Sequence, residues 1–477
     1  MTQPTDDKAG SSLLWLVGVG FFMQTLDTTI VNTALPAMAK SLGESPLRMQ
    51  SVVVAYSLTM AMLIPASGWV ADRLGTRRVY LAAIVLFAIG SALCALSQTL
   101  PQLVASRVVQ GCGGALLLPV GRLAVMRGVP REQFLAAMSF VAIPGMVGPL
   151  VGPTLGGWLV VVASWHWIFL INLPVAVAGY FATVRHMPVG RDHPSGPFDV
   201  GGYLMLAFGM VAISMSLDGL SDLGLRQATV LVLMIFGLAS LAAYWLHAAR
   251  RPDPLFSPTL FRVPTLSIGL IGNLFARLGS SCMPFLIPLL LQVCLGYTPL
   301  EAGLMMVPVA AAGMASKQLA TTLVRWIGYR NVLVINTALV GIAMASFAVT
   351  SPDVPLWLRV VQLALFGAVN SLQFTVMNTV TLKDLSFAQA SSGNSLLSMV
   401  QMLAMGMGVA AASAVLAAYY GYFEASGAER TLDAFHATFA TMGLITIASA
   451  WIFWQLESGI ERSSGPHRPV EAGGSAP

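Results

Sequence analysis

Chemistry in this sequence is confined to a few polar side chains set in apolar surroundings. The stretch FFMQTLDTTIVNTALP, residues 21–36, holds Asp27; on a helix Gln24, Asp27 and Thr28 share one face, while Asn32 points elsewhere. In LVASRVVQGCGGALLLP, residues 103–119, Arg107, Gln110, Gly111 and Gly114 fall three or four apart, so a cation, an amide and two small residues share one helical face. A charge inside a membrane span is costly and marks a pathway or relay. Counted from Pro36 and Pro101 at 1.5 Å per residue, Asp27 and Arg107 lie roughly 9 to 14 Å below the same membrane face. If their helices share a central cavity they can meet. Desolvation favours the neutral acid and a nearby Arg107 favours the carboxylate, so a change in their separation would move a proton. Asp27 and Arg107 are the expected proton-coupling pair, with Gln24 and Gln110 as expected substrate contacts.

Two further stretches have the makings of a conformational switch. GWVADRLGTRR, residues 68–78, places Asp72, Arg73 and Arg77 at a helix end, with Gly68 permitting close approach and Gly75 a tight turn. That spacing suits an inter-helix charge lock that holds in one state and releases in another. AIPGMVGPLVGPTLGG, residues 142–157, repeats Gly148, Gly152 and Gly156 every four residues, with Pro149 and Pro153 interrupting the ladder, so the helix can pack tightly and bend.

In the second half the deep charges are basic. Arg277 in NLFARLGSSCMPF lies near the middle of its span, and Lys317 in GMASKQLA either lines a cavity or snorkels. Asn273, Asn370, Gln373 and Asn378 can hydrogen-bond a ligand or tie helices together. If Arg277 and Arg107 face the cavity, the pocket favours an anion, such as a carboxylated metabolite, over a cationic drug.

The elements that position these residues follow from composition. With 56% hydrophobic and only 9% charged residues, the chain contains repeated apolar runs long enough to cross a hydrocarbon core roughly 30 Å thick. The runs are unbroken and rich in Leu, Ala, Gly and Met, which excludes a barrel of short alternating strands. They give an all-α polytopic membrane protein of fourteen spans in a six, two, six grouping. Of the 25 Lys and Arg, 17 fall in the termini and even-numbered loops or at their edges and five in the odd-numbered loops, so both termini are expected in the cytoplasm. The net charge of +5 then reflects orientation and not nucleic-acid binding. Cys94, Cys112, Cys282 and Cys294 lie in apolar runs without paired spacing and read as packing residues. The six His lie apart and no nucleophile and base constellation or metal spacing occurs, which argues against an enzyme; a single deep acid and asymmetric halves argue against a channel.

Taken together and in order, LDTTIVNTALP, GWVADRLGTRR, RVVQGCGGA and GPLVGPTLGG resemble the fourteen-span drug:proton antiporters of the major facilitator superfamily. The pieces SWHWIFLINLP, residues 164–174, and LKDLSFAQASSGNSLLSMVQ, residues 382–401, resemble a subgroup of exporters from Gram-negative bacteria. The resemblance implies two six-helix bundles around a central site that opens alternately to either side, with two extra helices between them. It matches Asp27 to the family's first-span acid, Arg107 and Gln110 to its fourth-span polar pair, and Asp72 with Arg73 to its loop motif. Where the family commonly reads WRWIF, this chain has Trp165-His166-Trp167, which puts a fixed-charge role there in doubt. RWIGYRN, residues 325–331, can be laid on RLGTRR with Gly328 at the place of Gly75, so the second copy keeps the turn and loses the lock.

The expected organisation is a cytoplasmic tail at 1-11, a bundle at 12-184, a linker with two helices at 185-264, a second bundle at 265-456 and a disordered tail at 457-477. The expected function is proton-coupled export of drugs or metabolites by a monomer of the cytoplasmic membrane, with an anion exporter or a proton-coupled importer as alternatives. No cofactor is expected beyond the proton gradient. The partners are a small-molecule substrate, protons and the lipid bilayer.

Overall fold

The computed structural model describes residues 6–129, 134–188, 197–221, 227–385, 387–423 and 428–457; most of the two expected tails lies outside these ranges. The helix expected to begin after residue 11 already runs from Asp6. The first seven helices are α1 (Asp6–Leu42), α2 (Gln50–Leu74), α3 (Thr76–Leu96), α4 (Leu100–Gly128), α5 (Phe134–Val162), α6 (Trp167–Leu170) and α7 (Asn172–His186). A hairpin of α8 (Val200–Ser221) and α9 (Gln227–Arg250) follows. The last group is α10 (Pro264–Ser280), α11 (Met283–Val293), α12 (Pro299–Met305), α13 (Val307–Ala345), α14 (Leu356–Leu382), α15 (Phe387–Tyr422) and α16 (Ala428–Trp454).

Several expected spans are broken where proline removes a donor. Pro174, Pro284 and Pro308 have no N–H to give the carbonyls of Leu170, Ser280 and Leu304, and the helix is interrupted beside each: α6 to α7, α10 to α11, α12 to α13. Each pair reads as one span. α13 divides at Gly328, whose φ of 79° is open to glycine without strain, and Gly75 makes the matching turn between α2 and α3 at φ 87°. The two turns laid on each other in the sequence therefore share a left-handed backbone. Among the described residues thirteen helices are long and apolar enough to cross a membrane, and the fifth expected span contributes the shorter apolar helix Val147–Val162.

Packing follows the small residues. α5 lies along α1 because Gly148, Gly152 and Gly156 bring its backbone against Thr25, Thr29 and Ile30; a Cβ on Gly148 would come within 2.7 Å of the Leu26 nitrogen. α3 and α4 touch through Gly90 and Gly113, whose added Cβ atoms would meet the Gln110 and Phe87 backbones at 2.4 Å. The first seven helices and the last seven meet in two places. α2 packs on α15 with α8 against both, and α1 and α5 pack on α11 and α12 at the membrane face opposite the chain ends. At that face a large apolar cluster runs from Ile30, Val31 and Ala34 across to Phe285, Leu286, Leu290 and Ala302. Gln292 Nε2 donates to the Thr33 carbonyl at 3.0 Å across the seam, and Thr154 Oγ1 to the Gly303 carbonyl at 3.2 Å. This seal closes one mouth of the molecule.

Candidate functional site

Asp27 reaches the interior of the first group of helices and is 0% exposed, and Arg107 is 1% exposed. Arg107 Nη1 donates to Asp27 Oδ2 at 2.7 Å. The other carboxylate oxygen accepts from Gln110 Nε2 at 2.8 Å and from Asn172 Nδ2 at 3.0 Å. Arg107 is held in turn by the Gln110 Oε1 acceptor at 2.6 Å and the Val52 carbonyl at 3.3 Å, with the Tyr56 ring centroid 4.1 Å from its guanidinium carbon. Gln110 Nε2 also donates to Ser91 Oγ at 2.8 Å, and Asn172 Nδ2 approaches the same oxygen at 3.4 Å. A buried ion pair is tolerable only when its remaining lone pairs and protons are satisfied, and this one is braced by amides and a hydroxyl from three helices.

The surroundings are dry on both sides. Val52, Cys94 and Phe169, which flank the pair, belong to the apolar cluster of the seal; Met23, Tyr56, Met60 and Phe87 belong to a second apolar cluster toward the chain ends. All side chains that bind the Asp27 carboxylate come from α4 and α7, with α3 supporting them. Among the described residues none comes from the second group of helices. The pair is thus assembled within the first group of helices, on α1 and α4, with Asn172 from α7.

Several expected substrate contacts lie elsewhere. Gln110 is 0% exposed and committed to Asp27, Arg107 and Ser91, because the Gly90 contact draws α4 against α3. Arg107 likewise faces Asp27 and not an open cavity. Gln24 is buried apart from the pair, its amide nitrogen 3.8 Å from Met60 Sδ. Asn273 ties helices, donating to the Gly269 carbonyl at 2.9 Å and Thr381 Oγ1 at 3.3 Å. Gln373 lines a cavity, but its amide is engaged by Asn336 at 2.9 Å and Thr337 at 2.6 Å. Arg277 and Asn370 do line that cavity, and Lys317 joins them there.

The switch residues also separate. Asp72 pairs with Arg127 at the end of α4, and Arg127 donates to Thr76 Oγ1 at 2.8 Å. Arg77 donates to the Val184 carbonyl, which ties α3 to α7. Arg73 sits over Trp69, its guanidinium carbon 5.5 Å from the ring centroid, and Trp69 packs on Phe198 ahead of α8. Gly68, expected to permit close approach, is exposed, with nothing within 4 Å of where a Cβ would stand. Pro149 and Pro153 lie inside the α5 helix, and the Pro153 carbonyl accepts from Thr33 Oγ1 at 3.2 Å. His166 stacks on Trp165 at 3.7 Å between centroids.

Sequence reasoning missed Asn172, Ser91 and Tyr56. Asn172 stands inside the quoted SWHWIFLINLP, where an amide two residues before a helix-breaking proline was the available signal. Nothing in the Ser91 neighbourhood marks it until Gly90 is seen to carry the α3–α4 contact.

Two packed groups of membrane-crossing helices, a sealed mouth and a buried ion pair are the features of a polytopic membrane transporter. The chain belongs to the Major Facilitator Superfamily, whose family model matches residues 17–409. Relatives named "Putative multidrug resistance protein MdtD" are 50% identical over 440 residues in Serratia proteamaculans (strain 568), covering 92% of each chain. In Pectobacterium carotovorum subsp. carotovorum (strain PC1) identity is 48% over 456 residues, covering 95% of this chain and 98% of that one. The crystal structure of a D-xylose-proton symporter shares the fold at a TM-score of 0.66 with 16% identity, covering 93% of this chain and 97% of that one. The chain is thus a multi-pass transporter of the bacterial inner membrane, similar to the MdtD group.

Proposed function

We propose that the chain is a proton-coupled secondary exporter that carries small molecules out across the cytoplasmic membrane by alternating access, with both termini in the cytoplasm. The carrying observation is the Asp27 carboxylate, enclosed between two apolar layers and held by Arg107, Gln110 and Asn172. The relatives' multidrug resistance name supports the direction of transport.

Because the pair stays within one group of helices, coupling works through access and not through separation. With the outer mouth sealed, Asp27 is cut off from the proton-rich side. Parting α1 and α5 from α11 and α12 removes the apolar layer that Val52, Cys94 and Phe169 join, and water then reaches the carboxylate. A proton taken there neutralises Asp27 and frees Arg107 for Gln110 and the Val52 carbonyl. Closing returns the neutral acid to the dry interior, and its proton leaves on the cytoplasmic side as cargo binds. Gln110 and Asn172, both braced by Ser91, hold the empty and loaded carboxyl in one place.

The test uses inverted membrane vesicles from cells with and without the protein, energised by respiration and offered ethidium and 2-naphthoate. Export predicts accumulation of at least one compound that stops when a protonophore collapses the gradient. Flux that ignores the gradient would make the protein a channel, and gradient-driven accumulation only in right-side-out vesicles would make it an importer.

A further inference from the structure

The second group of helices lines a cavity of about 300 Å³, partly open, between α10, α11, α13, α14 and α15. This is at the small end of the range for small-molecule sites. Its charged lining is Arg277 and Lys317, with no carboxylate among the lining residues. Asn370 adds an amide, and Phe374, Met377 and Met405 supply an apolar wall.

Arg277 is the informative residue. The Phe374 ring centroid lies 4.1 Å from its guanidinium carbon, the same separation as between Arg107 and Tyr56. Arg107 has an internal carboxylate, an amide and a backbone carbonyl to accept its protons. The Arg277 side chain makes neither a hydrogen bond nor an ion pair among the described residues, and its buried Nε has no acceptor. An aromatic face satisfies the charge in part but takes up none of the five in-plane N–H donors. A second cation on the same cavity raises the cost of leaving the site without a counter-charge.

We infer that this cavity is a binding site for an amphipathic organic anion, a carboxylate or sulfonate with a planar apolar body. The acid group accepts from Arg277 and Lys317 in the way Asp27 accepts from Arg107, Asn370 supplies a neutral hydrogen bond, and the ring system lies against Phe374, Met377 and Met405. Two fixed cations exclude a lipophilic cation of the same shape. The role of the bound anion as cargo rests on the export reading above, but its binding does not.

Isothermal titration of the full-length protein in lipid nanodiscs tests this with 2-naphthoate, 2-naphthylmethanol and 2-naphthylmethylammonium, which differ mainly in charge. The expected result is saturable binding of 2-naphthoate, with the alcohol and the ammonium weaker by about ten-fold or more. Arg277→Gln should weaken 2-naphthoate by about ten-fold or more, Arg277→Lys by less, and Lys317→Gln by an intermediate amount. Thermal melting identifies any variant that fails to fold, and Asn370→Leu provides a second probe of the wall without changing charge. Equal or tighter binding of the ammonium, or unchanged 2-naphthoate affinity in folded Arg277→Gln, overturns the inference. Because titration needs no gradient, it reads binding separately from coupling. Wild-type protein that exports ethidium but ignores 2-naphthoate would sink the anion site and leave export standing.

Discussion

Gly303 and Gly157 are the points where α12 and α5 meet backbone to backbone in the seal. A Cβ on Gly303 would stand 2.3 Å from the Pro153 carbonyl oxygen, and one on Gly157 2.2 Å from the Pro299 oxygen, where ordinary contact begins at 3.4 Å. Alanine at Gly303 therefore requires the two helices to part by about 1 Å, at a cost of roughly 1–3 kcal/mol for overpacking. In the proposed alternating-access cycle the cost falls on the sealed state alone, since the helices separate when that mouth opens. The equilibrium should move toward the open state by roughly 5- to 150-fold. Met306, buried at 7% in the same cluster, is a suitable reporter position. Met306→Cys, in a background with the four native cysteines replaced, is labelled with a membrane-impermeant maleimide from the outer face. Gly303→Ala should raise the labelling rate about five-fold or more, and Gly303→Val further. Gly68→Ala, with nothing near its Cβ, should leave the rate unchanged. Unchanged labelling in a folded Gly303→Val protein would refute the seal argument.

The Asp72–Arg127 pair is partly exposed, with side chains 33% and 26% accessible, so it should contribute no more than about 1 kcal/mol in a double-mutant cycle of thermal melts using Asp72→Asn and Arg127→Gln. A coupling several times larger would mark it as a stronger lock than its exposure allows. Asp199, just ahead of α8, is pushed up by burial, but hydrogen bonds from His247 and from the Gly202 and Leu255 backbone N–H groups outweigh this and hold its carboxyl below the usual range. A depressed folded value means its stabilisation is complete at neutral pH and is lost as pH falls through that value. The melting difference between wild type and Asp199→Asn should be widest near neutrality and shrink below about pH 4. A difference that grows on acidification contradicts the assignment.

The span pattern was legible because each run of apolar residues is set by bilayer thickness, a constraint local in sequence. The proximity of Asp27 and Arg107 was also within reach, since depth follows from counting residues along two helices. What depth cannot give is the azimuth of a third helix. Asn172 joins the site only because Pro174 restarts α7 there, and Ser91 only because Gly90 lets α3 touch α4. For the same reason Asn273 and Gln373 were open to two readings, as an amide in a span serves a ligand or a neighbouring helix equally well until the neighbour is known. Gly68 shows the limit of residue type: it suggested close packing, and in this structure nothing lies within 4 Å of where its Cβ would stand.

Proton carriage by Asp27 is tested most directly with purified protein in liposomes under an imposed pH gradient, comparing uphill accumulation with equilibrium counterflow of whichever compound the inverted vesicles identify. Counterflow needs binding and alternating access but no net proton movement, so it also reports that the variant is folded. Asp27→Asn should abolish uphill accumulation and retain counterflow, with Asp27→Glu restoring part of the accumulation. Uphill accumulation that persists in Asp27→Asn would contradict the account.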